Sequence, residues 1–276
     1  MQDGAADVPS LEDLGVELES YVLTEPPNPT PLLVEVPHAG LRVDERSARF
    51  MTTQVRCLAL DADMFVDRIF RRAPSLGAGL LVARMSRHVV DLNAAPERDL
   101  DDDTVVDPER RVIYRRIPGL EDAIVERPIP RAERVRRARA YFLPYHAALQ
   151  SALQRRIEAL GSAIVLSVHS WDDRADRAPV DIVLGTLGNT SAAAEYYDAV
   201  EESARRSGLT VRRDVPFAGG YSTASYGAPS RGSHALQLEI ARRLYLDPKT
   251  LEVHEEGFAK LQSFADDLVQ ALANRR

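Results

Sequence analysis

Two histidines stand where strands are expected to stop. Pro37-His38-Ala39-Gly40 follows the apolar run 32–36, and His169-Ser170 follows the apolar run 163–168. One histidine in such a place is more often a hydrogen-bonded turn residue; a pair of them points further. Two imidazoles and a carboxylate make the three-ligand set, with one position left open, of a hydrolytic zinc site. The carboxylate is not at the handiest spacing, because Leu41 occupies the position three after His38. Asp44 and Glu45 fall in a turn expected to be exposed. Asp61 and Asp63, expected to open a helix over 61–72, fit better. We read Asp61 as the helix cap, a role worth about 0.5–2 kcal/mol, and Asp63 as the ligand.

Such a site also needs a base outside the metal's ligands, to take a proton from water and deliver it to the leaving nitrogen. Glu239 ends the run 234–240, whose alternate residues read as core. A buried carboxylate is costly unless it is paired or used. The competing reading pairs it with Arg242 or Arg243. The stretch 87–93, Arg-His-Val-Val-Asp-Leu-Asn, follows another apolar run. It offers Arg87 to polarise a carbonyl and Asn93 to hold a carboxylate, with Asp91 to orient Arg87 or cap the turn. His88, His146 and His234 read as packing residues and His254 as an exposed one. Ser170 and Ser233 each lie near a histidine, so a serine hydrolase is an alternative, but there is no Gly-x-Ser-x-Gly elbow. A metal-free protein that binds an amino-acid-like ligand is another.

The elements that must position these residues alternate. One or two strands are expected over 80–90, and single strands over 32–36, 163–168, 181–186, 211–215 and 234–240. Helices are expected over 45–53, 61–72, 132–160 with a kink at Pro144, 190–207, 247–252 and 255–274. That alternation argues for a mainly parallel sheet with helices on both faces, whose chemistry gathers at the carboxyl ends of the strands. Residues 1–31 are polar and proline-rich and read as an arm, with one short strand around 16–22, ahead of a single catalytic domain over 32–276. The segment 94–131 lacks periodicity and reads as a long functional or mobile loop.

Composition sets the outer limits. The chain has 276 residues, 28% of them charged, and a formal net charge of −7. An acidic chain without a basic patch is a poor nucleic-acid binder; the basic run 131–139 has helical spacing and reads as a solvated helix face. The single cysteine, Cys57, excludes an internal disulfide and reads as a small buried hydrophobe. No apolar run approaches the ~20 residues of a membrane span. We expect a cytoplasmic protein acting on a small molecule, as a monomer or small homo-oligomer, without nucleic acid or membrane.

Several blocks together resemble the N-formylglutamate amidohydrolase family. These are Pro37-His38-Ala39-Gly40, Asp61-Ala62-Asp63, Arg84 to Arg87 through Val90-Asp91-Leu92-Asn93, His169-Ser170, Gly219-Gly220-Tyr221 and His234 to Glu239. They occur in the family's order, between about residues 32 and 250. The family is similar to zinc carboxypeptidases and to the aspartoacylase group. The resemblance implies a three-layer α/β/α fold with a mixed, mainly parallel sheet, of the phosphorylase/hydrolase, zinc carboxypeptidase-like kind. It implies a Zn2+-dependent amidohydrolase with His38, Asp63 and His169 on the metal and Glu239 as base. Arg87 would act on the substrate carbonyl, while Asn93, Arg84, Gly220 and Tyr221 would contact substrate. Two departures bear on specificity. The family usually continues Asp-Leu-Asn into Arg, where this chain has Ala94, and residues 222–225 lack the basic residue common after the tyrosine. Arg98 or Arg231, from neighbouring loops, is the replacement expected.

Overall fold

The computed structural model describes residues 19–51, 55–96, 129–173, 179–247 and 249–275. Seven strands form one sheet: β1 (Tyr21–Thr24), β2 (Leu32–Val36), β3 (Gly79–Ala83), β4 (Ala163–Trp171), β5 (Ile182–Gly185), β6 (Val211–Arg213) and β7 (Ser233–Ala241). Their order is β1-β3-β2-β4-β7-β5-β6. The centre, β3-β2-β4-β7, is parallel, while β1 and β5 join it antiparallel. The mixed, mainly parallel sheet is as expected. The arm's strand lies at Tyr21–Thr24 and pairs with β3, so this stretch completes the sheet's edge instead of lying on the domain. Residues 1–18 lie outside the described part.

The helices are α1 (Glu45–Ala48), α2 (Val55–Asp61), α3 (Val66–Ile69), α4 (Arg131–Arg137), α5 (Leu143–Leu160), α6 (Ala194–Arg206), α7 (Tyr221–Tyr226) and α8 (Glu255–Ala273). They make the outer two of three layers. One face of the sheet packs Leu32, Val34, Val36, Ile164, Leu166, Val168, Leu236, Leu238 and Ile240 against α3, α6 and α8. The other face packs Leu33, Leu81, Val165 and Ala235 against Phe142, Tyr145, Leu149 and Leu153 of the α5 side. Strands covered on both faces read as nearly continuous apolar runs, which is why polar residues within them carry information.

Four expectations change. The helix expected over 61–72 is split: α2 ends at Asp61 and α3 starts at Val66, with Phe65 at φ 65° between them. Asp61 therefore caps no helix start. Asp44 is not in an exposed turn; it is buried and caps α1 by accepting from the Ser47 N–H at 2.9 Å. Of the one or two strands expected over 80–90 there is one, which stops at Ala83, and the next residues lead into turns. Residues 249–250 form a turn held by the Asp247 carboxylate, in place of a helix over 247–252. The long helix is nearly as expected, from 131 to its end at Gly161 (φ 81°), but the irregularity is a π turn, Ala138–Phe142. Pro144 has no N–H and its ring crowds the carbonyl four residues back, so a wider turn there relieves it.

The basic run 131–139 is also corrected. Arg137 is fully buried, bound to Glu133 and to the carbonyls of Ser47 and Val89. Arg136 reaches Asp44, Ser47 and Glu133. This face of α4 is an ion-paired dock onto α1 and the 86–92 turns, not a solvated surface. No described helix is long and apolar enough to cross a membrane.

Candidate metal centre and active site

In β2, β4 and β7 the residues facing α5 are apolar at the strand starts and polar near the carboxyl ends. Register pairs Glu35 with Ser167 and Ser167 with Gln237, and two residues on pairs His169 with Glu239. Side chains alternate across a strand, so these five share one face. His169 is inside β4, two residues before its end, not after it. His38 sits in the turn two residues past β2, and Asp63 lies between α2 and α3, its N–H donating to the His38 carbonyl at 3.0 Å. Gly40 makes this turn possible: a Cβ there would meet the Arg84 carbonyl at 2.4 Å.

The three predicted ligands converge. One atom from each of His38, Asp63 and His169 lies within 4.8 Å of the others, and all three residues are buried. Asp63 Oδ2 is 3.0 Å from His169 Nδ1 and 3.5 Å from His38 Nδ1. His38 Nδ1 is buried and hydrogen-bonds to no described residue, as an atom reserved for a metal would be. The far side of each ligand is held. Asp91 Oδ1 lies 2.9 Å from His38 Nε2, Ser170 donates to Asp63 Oδ1 at 3.1 Å, and His169 Nε2 is 3.1 Å from both Ser167 Oγ and Asn93 Nδ2. Fixing the outer nitrogen fixes the ring and its tautomer. Two imidazoles and a carboxylate suit a divalent metal.

Electrostatics follow from burial and these contacts. Burial would raise the Asp63 carboxyl, but His169 and His38 hold it well below the usual range. Burial would likewise raise Asp91, yet His38 and Arg87 hold it down. Burial and Arg87 would lower His38, but Asp91 and Asp63 outweigh them and push it up to about 9. Burial pushes Glu239 up, with nearby Asp63 adding to this and His169, Arg87 and His38 opposing it. Neither proposed arginine pairs with Glu239. Arg242 binds Ser170 and the carbonyls of Leu60 and Ala62, and Arg243 binds Asp173 and Asp181. Instead Gln237 donates to Glu239 Oε1 at 2.9 Å, while Oε2 accepts from none of the described residues.

Arg87 lies beside the cluster, 2.9 Å from Asp91 Oδ2 and 3.7 Å from Asp61 Oδ2. Asp91 thus orients Arg87, holds His38 and caps its own turn through the Asn93 N–H at 2.7 Å. Asn93 is at the site too, but its amide already serves protein groups. It accepts from the Ser222 N–H at 3.0 Å and donates to Gln237 at 3.1 Å. A Cβ at Gly220 would meet that amide at 2.3 Å, so glycine is what lets Asn93 fit. Tyr221 follows, its N–H donating to the Asn93 carbonyl. Arg84 follows β3 at the same edge of the sheet, half-buried. Arg231 is the exception. It precedes Ser233, the start of β7, so roughly 20 Å of strand separates it from Glu239; the structure does not bring it to the cluster. Arg98 and most of the 94–131 loop lie outside the described residues, as does the Cys57 side chain.

Ser170 spends its hydrogen on Asp63, and Ser233 donates to the Tyr226 carbonyl at 2.6 Å; neither donates to a histidine. His146 is tied to the Leu92 carbonyl and the Tyr226 hydroxyl, each at 2.8 Å, which pins the turn that carries Asn93. His88 is buried and pushed down to about 3 by burial and Arg87. His234 accepts from the Ala193 N–H, and His254 is exposed. Sequence reasoning missed Glu35, Ser167 and Gln237. The available signal was a polar residue at every second position of an otherwise apolar strand.

The sequence matches the N-formylglutamate amidohydrolase family over residues 30–246. It is 29% identical to an N-formylglutamate deformylase of Pseudomonas putida, covering 88% of this chain and 92% of the relative. It is 31% identical to one of Pseudomonas aeruginosa, covering 79% and 82%. The fold superposes on the crystal structure of an N-formylglutamate amidohydrolase from Ralstonia eutropha with TM-score 0.83 and 29% identity, over 93% of this chain and 97% of that one. The chain belongs to the N-formylglutamate amidohydrolase family, and with its His38, Asp63 and His169 triad it is a metal-dependent amidohydrolase that cleaves the carbon–nitrogen bond of a small N-acyl amide.

Proposed function

We propose that the metal is zinc, in a zinc carboxypeptidase-like site at the carboxyl edge of the sheet, and that Glu239 is the base. His38 Nδ1, Asp63 and His169 Nδ1 would hold the ion. Bound there, it would polarise the amide carbonyl and make water acidic enough to give up a proton near neutral pH. Glu239 receives that proton on Oε2, the oxygen not taken by Gln237, and passes it to the departing amine as the carbon–nitrogen bond breaks. Its raised proton affinity suits both halves of the task. Arg87, held by Asp91 and Asp61, stabilises negative charge on the carbonyl oxygen. Arg84, Tyr221 and the Gly220 backbone meet the rest of the substrate. Asn93 adds one amide hydrogen once His169 Nε2 carries its own.

The substrate class is a small N-acyl amino acid, as the relatives' names indicate for them. The side chain differs in the grip it meets. Ala94 packs against the apolar cluster of Leu92, Phe142 and Tyr145, and Ser222 and Thr223 are buried in α7, so neither position offers a guanidinium to a side-chain carboxylate. A single catalytic domain, 32–276 with β1 of the arm joined to its sheet, does the work, in the cytoplasm and as a monomer or small homo-oligomer. The observation that carries the reading is the convergence of His38, Asp63 and His169, with Glu239 beside His169 in register. The test is a panel of N-acyl amino acids, with zinc supplied and amine release measured. Activity without metal, or undiminished in Glu239→Gln, would overturn it.

A further inference from the structure

Glu35 is the group the mechanism leaves unexplained. It lies in the middle of β2, fully buried, where an ionised carboxylate is costly. Among the described residues no lysine or arginine pairs with it. Ser222 donates to Oε1 at 2.9 Å, while Oε2 is buried without a hydrogen-bond partner among the described residues.

The path from Glu35 to the triad is short. Glu35 and Ser167 are register partners, and Ser167 Oγ is 3.1 Å from His169 Nε2. For Nδ1 of His169 to offer a lone pair to a metal, the ring hydrogen must sit on Nε2. That hydrogen needs an acceptor. Asn93 Nδ2, the other neighbour at 3.1 Å, cannot serve, because the Ser222 N–H fixes the Asn93 oxygen on the opposite side. Ser167 Oγ can accept, provided its own hydrogen is drawn elsewhere, and the unpartnered Oε2 of Glu35, its register partner, is the acceptor at hand. Without Glu35 the serine is free to turn and donate to Nε2, which favours the tautomer with hydrogen on Nδ1 and blocks the metal.

We propose that Glu35 is a positioning residue for the metal centre: through Ser167 it holds His169 in the tautomer that can ligate. His38 is oriented by a direct carboxylate, Asp91; His169 is oriented by a carboxylate acting through a hydroxyl. The inference rests on the metal reading above.

The test is zinc affinity, measured on metal-free protein by competition with a chromogenic chelator. Glu35→Leu and Ser167→Ala are each expected to weaken binding about tenfold to a hundredfold, the usual effect of removing a partner behind a ligand. The double variant should be little worse than either single, because both break one chain. Glu35→Gln keeps an acceptor oxygen and should lose less than Glu35→Leu. Ser222→Ala keeps its backbone N–H on Asn93 and should bind zinc as the unchanged protein does. If Ser167→Ala, folded by circular dichroism, binds zinc as tightly as wild type, the proposal is overturned even if Glu35→Leu does not fold. Losses that multiply in the double variant also overturn it. If the wild-type protein itself binds no zinc, the metal reading falls first and this one with it.

Discussion

The two faces of β2, β4 and β7 carry opposite kinds of residue on the same backbone. Toward α3, α6 and α8 the side chains are Leu32, Val34, Val36, Ile164, Leu166, Val168, Leu236, Leu238 and Ile240. Toward α5 and α7 they begin with Leu33, Val165 and Ala235, then change to Glu35, Ser167, His169, Gln237 and Glu239. The first face removes apolar surface from water. The second gives up part of that burial to hold ionisable groups in fixed register. Rigid strands place such groups more accurately than loops do. The division of labour predicts that damage to one face shows as lost stability and damage to the other as lost chemistry.

The largest effect should come from a ligand. His38→Ala removes one of three metal donors, so metal stoichiometry and turnover should both collapse while the circular dichroism spectrum is kept. Glu239→Gln should leave metal binding intact and lower turnover about 10²–10⁴-fold, the usual share of a general base. Its melting temperature should hold or rise, since a buried carboxylate becomes a neutral amide. A variant that lost stability instead would show that Glu239 is structural. On the opposite face, Leu236→Ala should cost about 2–5 kcal/mol in denaturant unfolding, with zinc affinity unchanged.

A smaller effect belongs to the amino edge of the strands, where the carboxyl end of α5 packs. Glu25 binds Arg156 there at 2.5 Å and Arg155 at 3.2 Å. Burial would raise its carboxyl, but the two arginines hold it below the ordinary value of a glutamate, 4.5. A lowered folded-state value stabilises the protein at pH above 4.5, and that contribution is lost as pH falls through the folded value. Glu25→Gln should therefore destabilise the protein at pH 7, by about 1–3 kcal/mol, and the gap to wild type should close in acid. A gap that stays constant with pH would show that packing, not charge, holds this pair. The subtlest change tests specificity: Ala94→Arg should raise activity on N-formylglutamate relative to apolar N-formyl amino acids. An unchanged ratio would place specificity elsewhere.

Much of this was legible in the residues alone. Alternating apolar runs announced a mainly parallel sheet, and His38, His169, Arg87 and Glu239 could be named from residue type and position at strand ends, with Asp61 and Asp63 from the head of an expected helix. Three kinds of information were not. Asp61 and Asp63 are two residues apart, and only the end of α2 at Asp61 decides that one faces Arg87 and the other the histidines. Arg137 looks like any helix-face arginine until α4 docks and the Ser47 and Val89 carbonyls close around it. Arg231 is close to Glu239 in sequence, yet β7 carries it to the far edge of the sheet. What the sequence by itself determined was composition and periodicity, and through them the strands, the sheet class and the candidate histidines, because these depend on neighbours along the chain. What only the tertiary structure decided was the partner of each polar group: Asp91 on His38, Asn93 on Gln237, Glu35 beside Ser167. Those pairings depend on strand order, register and the turns beyond the strands, which bring together segments far apart in the chain, 53 residues for His38 and Asp91 and 144 for Asn93 and Gln237.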